Sequence, residues 1–177
     1  MRRNGAWVGV VGAEGMAKET SAAVSLAHLL GRGAPRAPDH ETLEAWGRAL
    51  GAALPRPIII ALTGDLGAGK TTLARALCAG IGVMDVAAVT SPTFSLVQQY
   101  EAADGAVVHV DLYRLRSDAE LEALGWDEMV SMAQVLLIEW PERVQSQLPA
   151  ATIFISLSHD PQNPHRRVLR VRAPNRG

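Results

Sequence analysis

The chain contains the stretch Gly64-Asp65-Leu66-Gly67-Ala68-Gly69-Lys70-Thr71, which fits the phosphate-binding loop pattern G-x-x-x-x-G-K-[ST]. Ahead of it, residues 57–63 form an apolar run rich in β-branched side chains, which predicts a buried strand. Behind it, residues 72–79 are good helix formers. A strand, a glycine-rich loop and a helix in this order are the context that the motif requires.

The residue types in this loop suit a phosphate group. Glycines let the backbone wrap closely around the anion, and the loop N–H groups and the positive end of the following helix face it. Lys70 is expected to contact the β- and γ-phosphates, and the Thr71 hydroxyl to ligate Mg²⁺. The alternative is a chance glycine-rich turn. The residues predicted to bind the nucleotide are Asp65, Leu66, Gly67, Ala68, Gly69, Lys70, Thr71 and Thr72.

The amino-acid composition excludes several classes of protein for this chain. The 177 residues are 48% hydrophobic and 20% charged, as expected for one soluble globular domain. A formal net charge of −1 gives no global signature of nucleic-acid binding. The single cysteine, Cys78, excludes an internal disulfide and a cysteine-rich zinc site, and we expect it to be buried. No apolar run approaches the roughly 18 residues of a membrane span, so we expect a cytoplasmic protein without membrane contact.

Residues 1–38 differ from the rest and are predicted to be an N-terminal extension and linker, with disorder as one option. A helix is predicted from about Glu14 to Leu30, and the Gly- and Pro-rich residues 31–38 predict a linker. The extension is an appendage, a regulatory arm or the product of an upstream start codon, and we expect residues 1–34 to be dispensable for folding. Residues 39–177 are predicted to form a P-loop ATPase domain.

The pattern inside this domain predicts a mixed sheet. Asp39 is a candidate N-cap for an amphipathic helix over 40–54, whose Trp46 is expected in the core. Strands are predicted over 94–100 and 106–111, and the intervening Asp104-Gly105 predicts a hairpin turn. An antiparallel hairpin directly after the P-loop helix is unusual for a doubly wound sheet. The predicted fold class is therefore α/β, a single P-loop NTPase domain with a mixed sheet.

The last part of the chain predicts one short helix and three strands. Ser117 and Glu120 form a capping box for a helix that Gly125 ends. The predicted strands are 134–138, 152–157 and 168–171, and residues 159–165 are expected to be a solvated loop.

Two carboxylates follow predicted strands. A P-loop site needs an acid near the metal, and Asp111 and Glu139 each stand where ligands bind in α/β sheets. Ordinary capping or turn carboxylates are the alternative. Ser91-Pro92-Thr93 is either a loop that senses the γ-phosphate or a polar turn. His109 is predicted to be a satisfied structural histidine.

Five segments together resemble the TsaE family, also called YjeE, whose members are bacterial P-loop ATPases that help to make threonylcarbamoyladenosine in tRNA. They occur in the family's order and at similar spacing, within about residues 39–171. The segments are Leu62-Thr63-Gly64-Asp65-Leu66-Gly67-Ala68-Gly69-Lys70-Thr71-Thr72, Thr90-Ser91-Pro92-Thr93-Phe94-Ser95-Leu96-Val97, His109-Val110-Asp111-Leu112-Tyr113-Arg114-Leu115, Glu120-Leu121-Glu122-Ala123-Leu124-Gly125 and Leu137-Ile138-Glu139-Trp140-Pro141-Glu142.

The resemblance implies specific roles. The family's Mg²⁺ ligands fall on Thr71 and Glu139, and its switch-like acid, needed for hydrolysis, falls on Asp111. With Lys70, Asp111 and Glu139 are the candidate catalytic residues. The implied partners are a TsaB-like and a TsaD-like protein, with tRNA reached only through their complex, and ATP turnover would reset that complex. The chain departs from the family in residues 1–38, which are extra, and in the late loop, which is only weakly similar.

Two other functions remain open at this point. One is a P-loop small-molecule kinase, which would need an acceptor pocket and usually an arginine-bearing lid. Between Lys70 and Arg114 the only arginine is Arg75, which argues against a lid. The other is a nucleotide-gated assembly module without useful turnover, which the presence of Lys70, Thr71, Asp111 and Glu139 disfavours.

Overall fold

The structure is a computed structural model, which describes residues 26–174. Its strands are β1 (Ile58–Thr63), β2 (Val97–Ala102), β3 (Gly105–Asp111), β4 (Val135–Glu139), β5 (Ile153–Asp160) and β6 (Asn163–Arg172). Its helices are α1 (His40–Ala53), α2 (Lys70–Ile81), α3 (Asp118–Ala123) and α4 (Trp126–Met132), and residues 26–30 are also helical. No helix in this part of the chain is long and apolar enough to cross a bilayer.

All six strands form one mixed sheet in the order β2-β3-β4-β1-β5-β6. The four central strands are parallel, and β2 and β6 pair antiparallel to β3 and β5 at the two edges. The hairpin of β2 and β3 comes directly after α2 and turns at Gly105, where φ is 115°. The predicted fold class, a mixed α/β P-loop sheet with an antiparallel hairpin after the P-loop helix, is confirmed.

Helices pack on both faces of the sheet. The main core lies between β1, β5 and the pair α1 and α2, and it includes Trp46 and Cys78, which were predicted to be buried. The two helices approach closely at Gly51, where a Cβ would stand 2.3 Å from the Leu77 carbonyl oxygen. A second core, between β3, β4 and the helices α3 and α4, covers the other face. The carboxyl ends of the central parallel strands are thereby held at one edge, where the P-loop emerges.

The described part of the predicted extension contacts the domain. Leu26 is 7% exposed and belongs to the main core, and the Trp46 indole donates a hydrogen bond to the Leu29 carbonyl at 3.1 Å. Farther along, the Arg36 and Pro38 carbonyls accept hydrogen bonds from the edge strand β6. The contacts of Leu26 and Leu29 favour a stabilising role for residues 26–34, whereas the dispensability of residues 1–34 stays a prediction. The predicted helix from 14 to 25 lies outside the described residues, and the boundary at residue 38 stays a prediction.

The first predicted hairpin strand begins later than expected, at Val97 instead of residue 94. The Leu96 N–H donates to the Pro92 carbonyl at 2.6 Å, and Leu96 has a positive φ of 63°. This turn keeps residues 92–95 out of the sheet, and pairing with β3 begins where the Leu96 carbonyl accepts from the Asp111 N–H at 2.9 Å. The polar and proline-containing stretch therefore forms an irregular loop beside the P-loop.

Two more differences lie in the last third of the chain. Helix α4 was not predicted; it starts after Gly125, whose φ of 72° ends α3, and it buries Trp126 against the second core. The predicted loop 159–165 is mostly strand, because β5 and β6 continue to a short turn at residues 161–162. This pairing was not predicted, because the strands were assigned from apolar runs and the side chains of this exposed edge hairpin are polar.

Candidate functional site

The P-loop joins β1 to α2 and is shaped by its glycines. At Gly64, φ is 137° and a Cβ would stand 2.1 Å from the Leu157 carbonyl oxygen, so a larger residue does not fit. Gly69 occupies the N-cap position of α2 with φ of 105° and provides no side-chain cap. Since the first N–H groups of a helix have no partner within the helix, those of α2 remain available to an anion.

Lys70 is held inside this loop. It is 5% exposed, and its Nζ donates to the carbonyl oxygens of Gly64 at 2.7 Å and Asp65 at 3.0 Å. The ammonium also lies 4.2 Å from the centroid of the Trp140 ring. Burial lowers the pKa of Lys70, and the nearby Glu139 carboxylate opposes that shift. The cation therefore sits partly desolvated at the mouth of the loop, where a phosphate would replace its carbonyl partners.

Glu139 ends β4 and reaches the start of α2. Its backbone is in register with Leu62 on β1 and with Asp111 on β3. The carboxylate is buried, and its Oε1 accepts a hydrogen bond from Thr71 Oγ1 at 2.9 Å. The same oxygen lies 3.1 Å from His109 Nε2. The structure thus brings together Thr71 and Glu139, the two predicted metal ligands, which lie 68 positions apart in the sequence.

This donor set fits a magnesium ion. A hydroxyl and a carboxylate are oxygen ligands, and Mg²⁺ is usually bound by one or two carboxylates plus phosphates and water. Across residues 26–174 there is no cluster of three or more His, Cys, Asp or Glu side chains that would hold a metal alone. The site therefore suits an ion that shares its coordination with a nucleotide, and the ligand roles of Thr71 and Glu139 stay a prediction.

Asp111 ends β3 and faces the loop that precedes β2. It is 1% exposed, and its Oδ2 accepts hydrogen bonds from Ser91 Oγ at 2.7 Å and Thr93 Oγ1 at 2.6 Å. Its Oδ1 accepts from the Tyr113 N–H at 2.9 Å. The Ser91 and Thr93 hydroxyls are thus hydrogen-bonded to a candidate catalytic carboxylate.

Two aromatic residues also line this site, and neither was among the predicted catalytic, nucleotide-binding or metal-binding residues. His109 was expected to be a satisfied structural histidine, but within the described chain the only hydrogen-bond partner of its ring is Glu139, and Nδ1 has none. The sequence signal for His109 was the alternation of side chains along β3, which places His109 on the same face of the sheet as Asp111. Trp140 has a positive φ of 60°, which is unusual outside glycine, and its ring packs 4.9 Å from that of Tyr113 and beneath Lys70.

Several predicted nucleotide-binding residues line the rim of this site, and two histidines lie on the late hairpin. Asp65, Leu66 and Gly67 form the exposed tip of the loop, whereas Ala68 is buried under it. His159 and His165 lie exposed on the β5–β6 hairpin. No hydrogen bond or salt bridge joins either histidine to the P-loop within the described residues.

Comparison with known proteins points to one family. The family model described as "Threonylcarbamoyl adenosine biosynthesis protein TsaE" matches residues 37–168. A Haemophilus influenzae relative named "tRNA threonylcarbamoyladenosine biosynthesis protein TsaE" is 42% identical over 104 residues, which cover 59% of this chain and 65% of that protein, just under two thirds. A Treponema pallidum relative of the same name is 39% identical over 112 residues, which cover 63% of this chain and 81% of that protein.

A solved structure shares the fold. The crystal structure of Bacillus subtilis YdiB superposes with a TM-score of 0.58 at 28% identity, covering 78% of this chain and 84% of that one. The family match includes the P-loop, both buried carboxylates and the loop at 91–93. On the extent of that match, together with the shared fold, this chain belongs to the TsaE family.

Proposed function

We propose that this protein is a Mg²⁺-dependent ATPase required for the threonylcarbamoyladenosine modification of tRNA. The observation that carries the proposal is the hydrogen bond from Thr71, the last residue of the P-loop motif, to the buried carboxylate of Glu139. It joins a phosphate-binding loop to an acid at the carboxyl edge of the sheet, which is the arrangement that P-loop NTPases use. The pathway comes from family membership and from the names of the relatives.

The P-loop would bind the triphosphate. Loop N–H groups and the start of α2 face the phosphates, and Lys70 exchanges the carbonyls of Gly64 and Asp65 for β- and γ-oxygens. In hydrolysis, a water oxygen forms a bond to the γ-phosphorus while the bond from that phosphorus to the β–γ bridging oxygen breaks. The products are ADP, inorganic phosphate and a proton. Lys70 would stabilise the charge on the transferred group by a direct contact.

Thr71 and Glu139 would hold Mg²⁺. When bound, such an ion neutralises charge on the β- and γ-phosphate oxygens. Asp111 would act on the attacking water or on the 91–93 loop, and the hydrogen bonds from Ser91 and Thr93 to its Oδ2 support this proposal. Glu139 and Asp111 are therefore proposed to have different functions.

Substitution of Lys70 tests nucleotide binding. Lys70→Ala is expected to weaken ATP binding at least about tenfold, or about 1.4 kcal/mol, in calorimetry. Arg48→Ala is a matched control, because this exposed cation lies on α1, away from the P-loop. Unchanged affinity in Lys70→Ala would falsify the phosphate-binding role.

Labelled ATP separates the reaction classes. Incubation of the protein with γ-labelled ATP and Mg²⁺ is expected to release free phosphate. Label on an acceptor molecule would instead identify a kinase. Nucleotide exchange without either product, even with partners present, would identify an assembly module.

The partners are proposed to be a TsaB-like and a TsaD-like protein of the same cell, in the cytoplasm, with tRNA contacted only through their complex. Turnover would reset that complex between rounds of modification. Phosphate release is expected to be slow for the chain alone and faster with the partner pair, because loops such as 91–96 often become ordered only when a γ-phosphate or a partner holds them. Stimulation should disappear in Asp111→Ala. Equal rates with and without the pair would reject partner-gated hydrolysis.

A further inference from the structure

We propose that His109 is a positioning residue for the metal site, which holds the Glu139 carboxylate in the orientation that Mg²⁺ requires. The inference rests on the proposed function and adds a residue to it. His109 lies on β3 and is 0% exposed, and its Nε2 stands 3.1 Å from Glu139 Oε1. An ionised carboxylate only accepts hydrogen bonds, so the ring donates from Nε2.

The histidine is poorly suited to a purely structural role. Its Nδ1 is buried and has no hydrogen-bond partner in the described chain. A buried polar atom without a partner lowers stability, and an apolar side chain of similar size would avoid that loss. The single polar contact that His109 makes is therefore the feature that distinguishes it from an apolar core residue at the same position.

That contact fixes one oxygen of the carboxylate. Oε1 accepts from both Thr71 and His109, and within residues 26–174 no hydrogen bond reaches Glu139 Oε2. Thr71 is itself a predicted metal ligand, so its hydroxyl changes surroundings when a metal binds. His109 is then the constant donor that holds Oε1, and it leaves Oε2 free for the ion or for a water bound to it.

The ring itself is held in place. His109 is paired with Leu137 on the parallel neighbour β4, and its ring lies 6.4 Å from that of Tyr100, centroid to centroid. Both neighbours are buried. A donor fixed by two strands suits the orientation of a ligand, since partners behind metal ligands typically change metal affinity when they are replaced.

The test compares His109→Leu with His109→Gln in the full-length protein. Two quantities are measured: the thermal midpoint without metal, and the half-saturating Mg²⁺ concentration with ATP present. Tryptophan fluorescence follows the second, because Trp140 directly follows Glu139 and its ring lies against Lys70, so we expect its emission to respond to the bound nucleotide and metal. His109→Leu is expected to raise the half-saturating Mg²⁺ concentration roughly 10- to 100-fold, with a midpoint equal to or above that of the wild type. His109→Gln, which keeps a side-chain N–H donor, should recover most of the metal affinity.

Val107→Ala is the matched control, because Val107 is buried on the same strand two positions away and on the same face. It is expected to lower the midpoint and to leave the Mg²⁺ requirement unchanged. A wild-type Mg²⁺ requirement in His109→Leu, or a Mg²⁺ shift in Val107→Ala as large as that in His109→Leu, would overturn the positioning role alone. Absence of any Mg²⁺-dependent response in the wild type would overturn this inference and the metal site together.

Discussion

Glu139 and Asp111 are register partners on adjacent parallel strands, yet they are held by different parts of the molecule. The Glu139 carboxylate is bound by Thr71 on α2 and His109 on β3, both of which belong to regular elements. The Asp111 carboxylate is bound by Ser91 and Thr93, which lie on the irregular loop between α2 and β2. Two neighbouring acids at one sheet edge thus differ in the kind of element that carries their side-chain partners.

The difference has a physical consequence. A metal-ligating carboxylate that is held by helix and strand residues is preorganised. Little ordering is then needed when the metal binds, and this raises the affinity for the metal. A carboxylate held by a loop instead changes its surroundings whenever the loop moves, and loops near γ-phosphates are common switch elements. We therefore expect Glu139 to set the metal requirement and Asp111 to link turnover to the conformation of the loop.

Removal of the Glu139 carboxylate should have the largest effect. Glu139→Ala deletes a predicted metal ligand and leaves the buried His109 donor without its acceptor, which costs about 1–3 kcal/mol. The half-buried Thr71 hydroxyl loses its partner as well. The Mg²⁺ concentration for half-maximal phosphate release is expected to rise at least about tenfold. A magnesium titration measures it, with Glu139→Gln as the variant that keeps the shape.

Asp111→Ala should reduce turnover while ATP still binds. We expect kcat to fall at least about tenfold, or about 1.4 kcal/mol in the transition state, because the residue acts on the loop or on water. The calorimetric Kd for ATP should stay within about twofold. If Asp111→Ala and Glu139→Ala shift the Mg²⁺ titration equally, the two carboxylates do not differ as described.

Single substitutions in the loop should have the smallest effect. Ser91→Ala and Thr93→Ala each remove one of the two hydroxyls on Asp111 Oδ2, and a typical hydrogen bond contributes about 0.5–1.5 kcal/mol, so a fall in kcat of about 2- to 10-fold is expected for each. The Mg²⁺ requirement should not change. Phosphate-release assays of both single variants and the double variant measure these effects, and a raised Mg²⁺ requirement in either would link the loop to Glu139 instead.

Some parts of the fold and of the site could be predicted from the sequence, because they depend on residues that are close together in the chain. The P-loop needs glycines and a lysine at fixed spacing, and Asp39 caps α1 through the Thr42 N–H as its residue type predicts. Asp104-Gly105 likewise predicted the first hairpin, which pairs as expected. Helix α4 and the full length of the β5–β6 hairpin were not predicted. Their stability comes from tertiary packing and edge pairing, which a search for short apolar runs does not detect.

The sequence by itself determined the phosphate-binding loop, the mixed α/β class, the family resemblance and the identity of Asp111 and Glu139 as candidates. Only the tertiary structure decided which groups these carboxylates touch. Thr71 and Glu139 are 68 positions apart, and His109 and Glu139 are 30 apart. Their contacts depend on the order of β3, β4 and β1 in the sheet, because parallel pairing brings the ends of distant strands to one edge. The spacing of these residues along the chain does not reveal the order of the strands in the sheet.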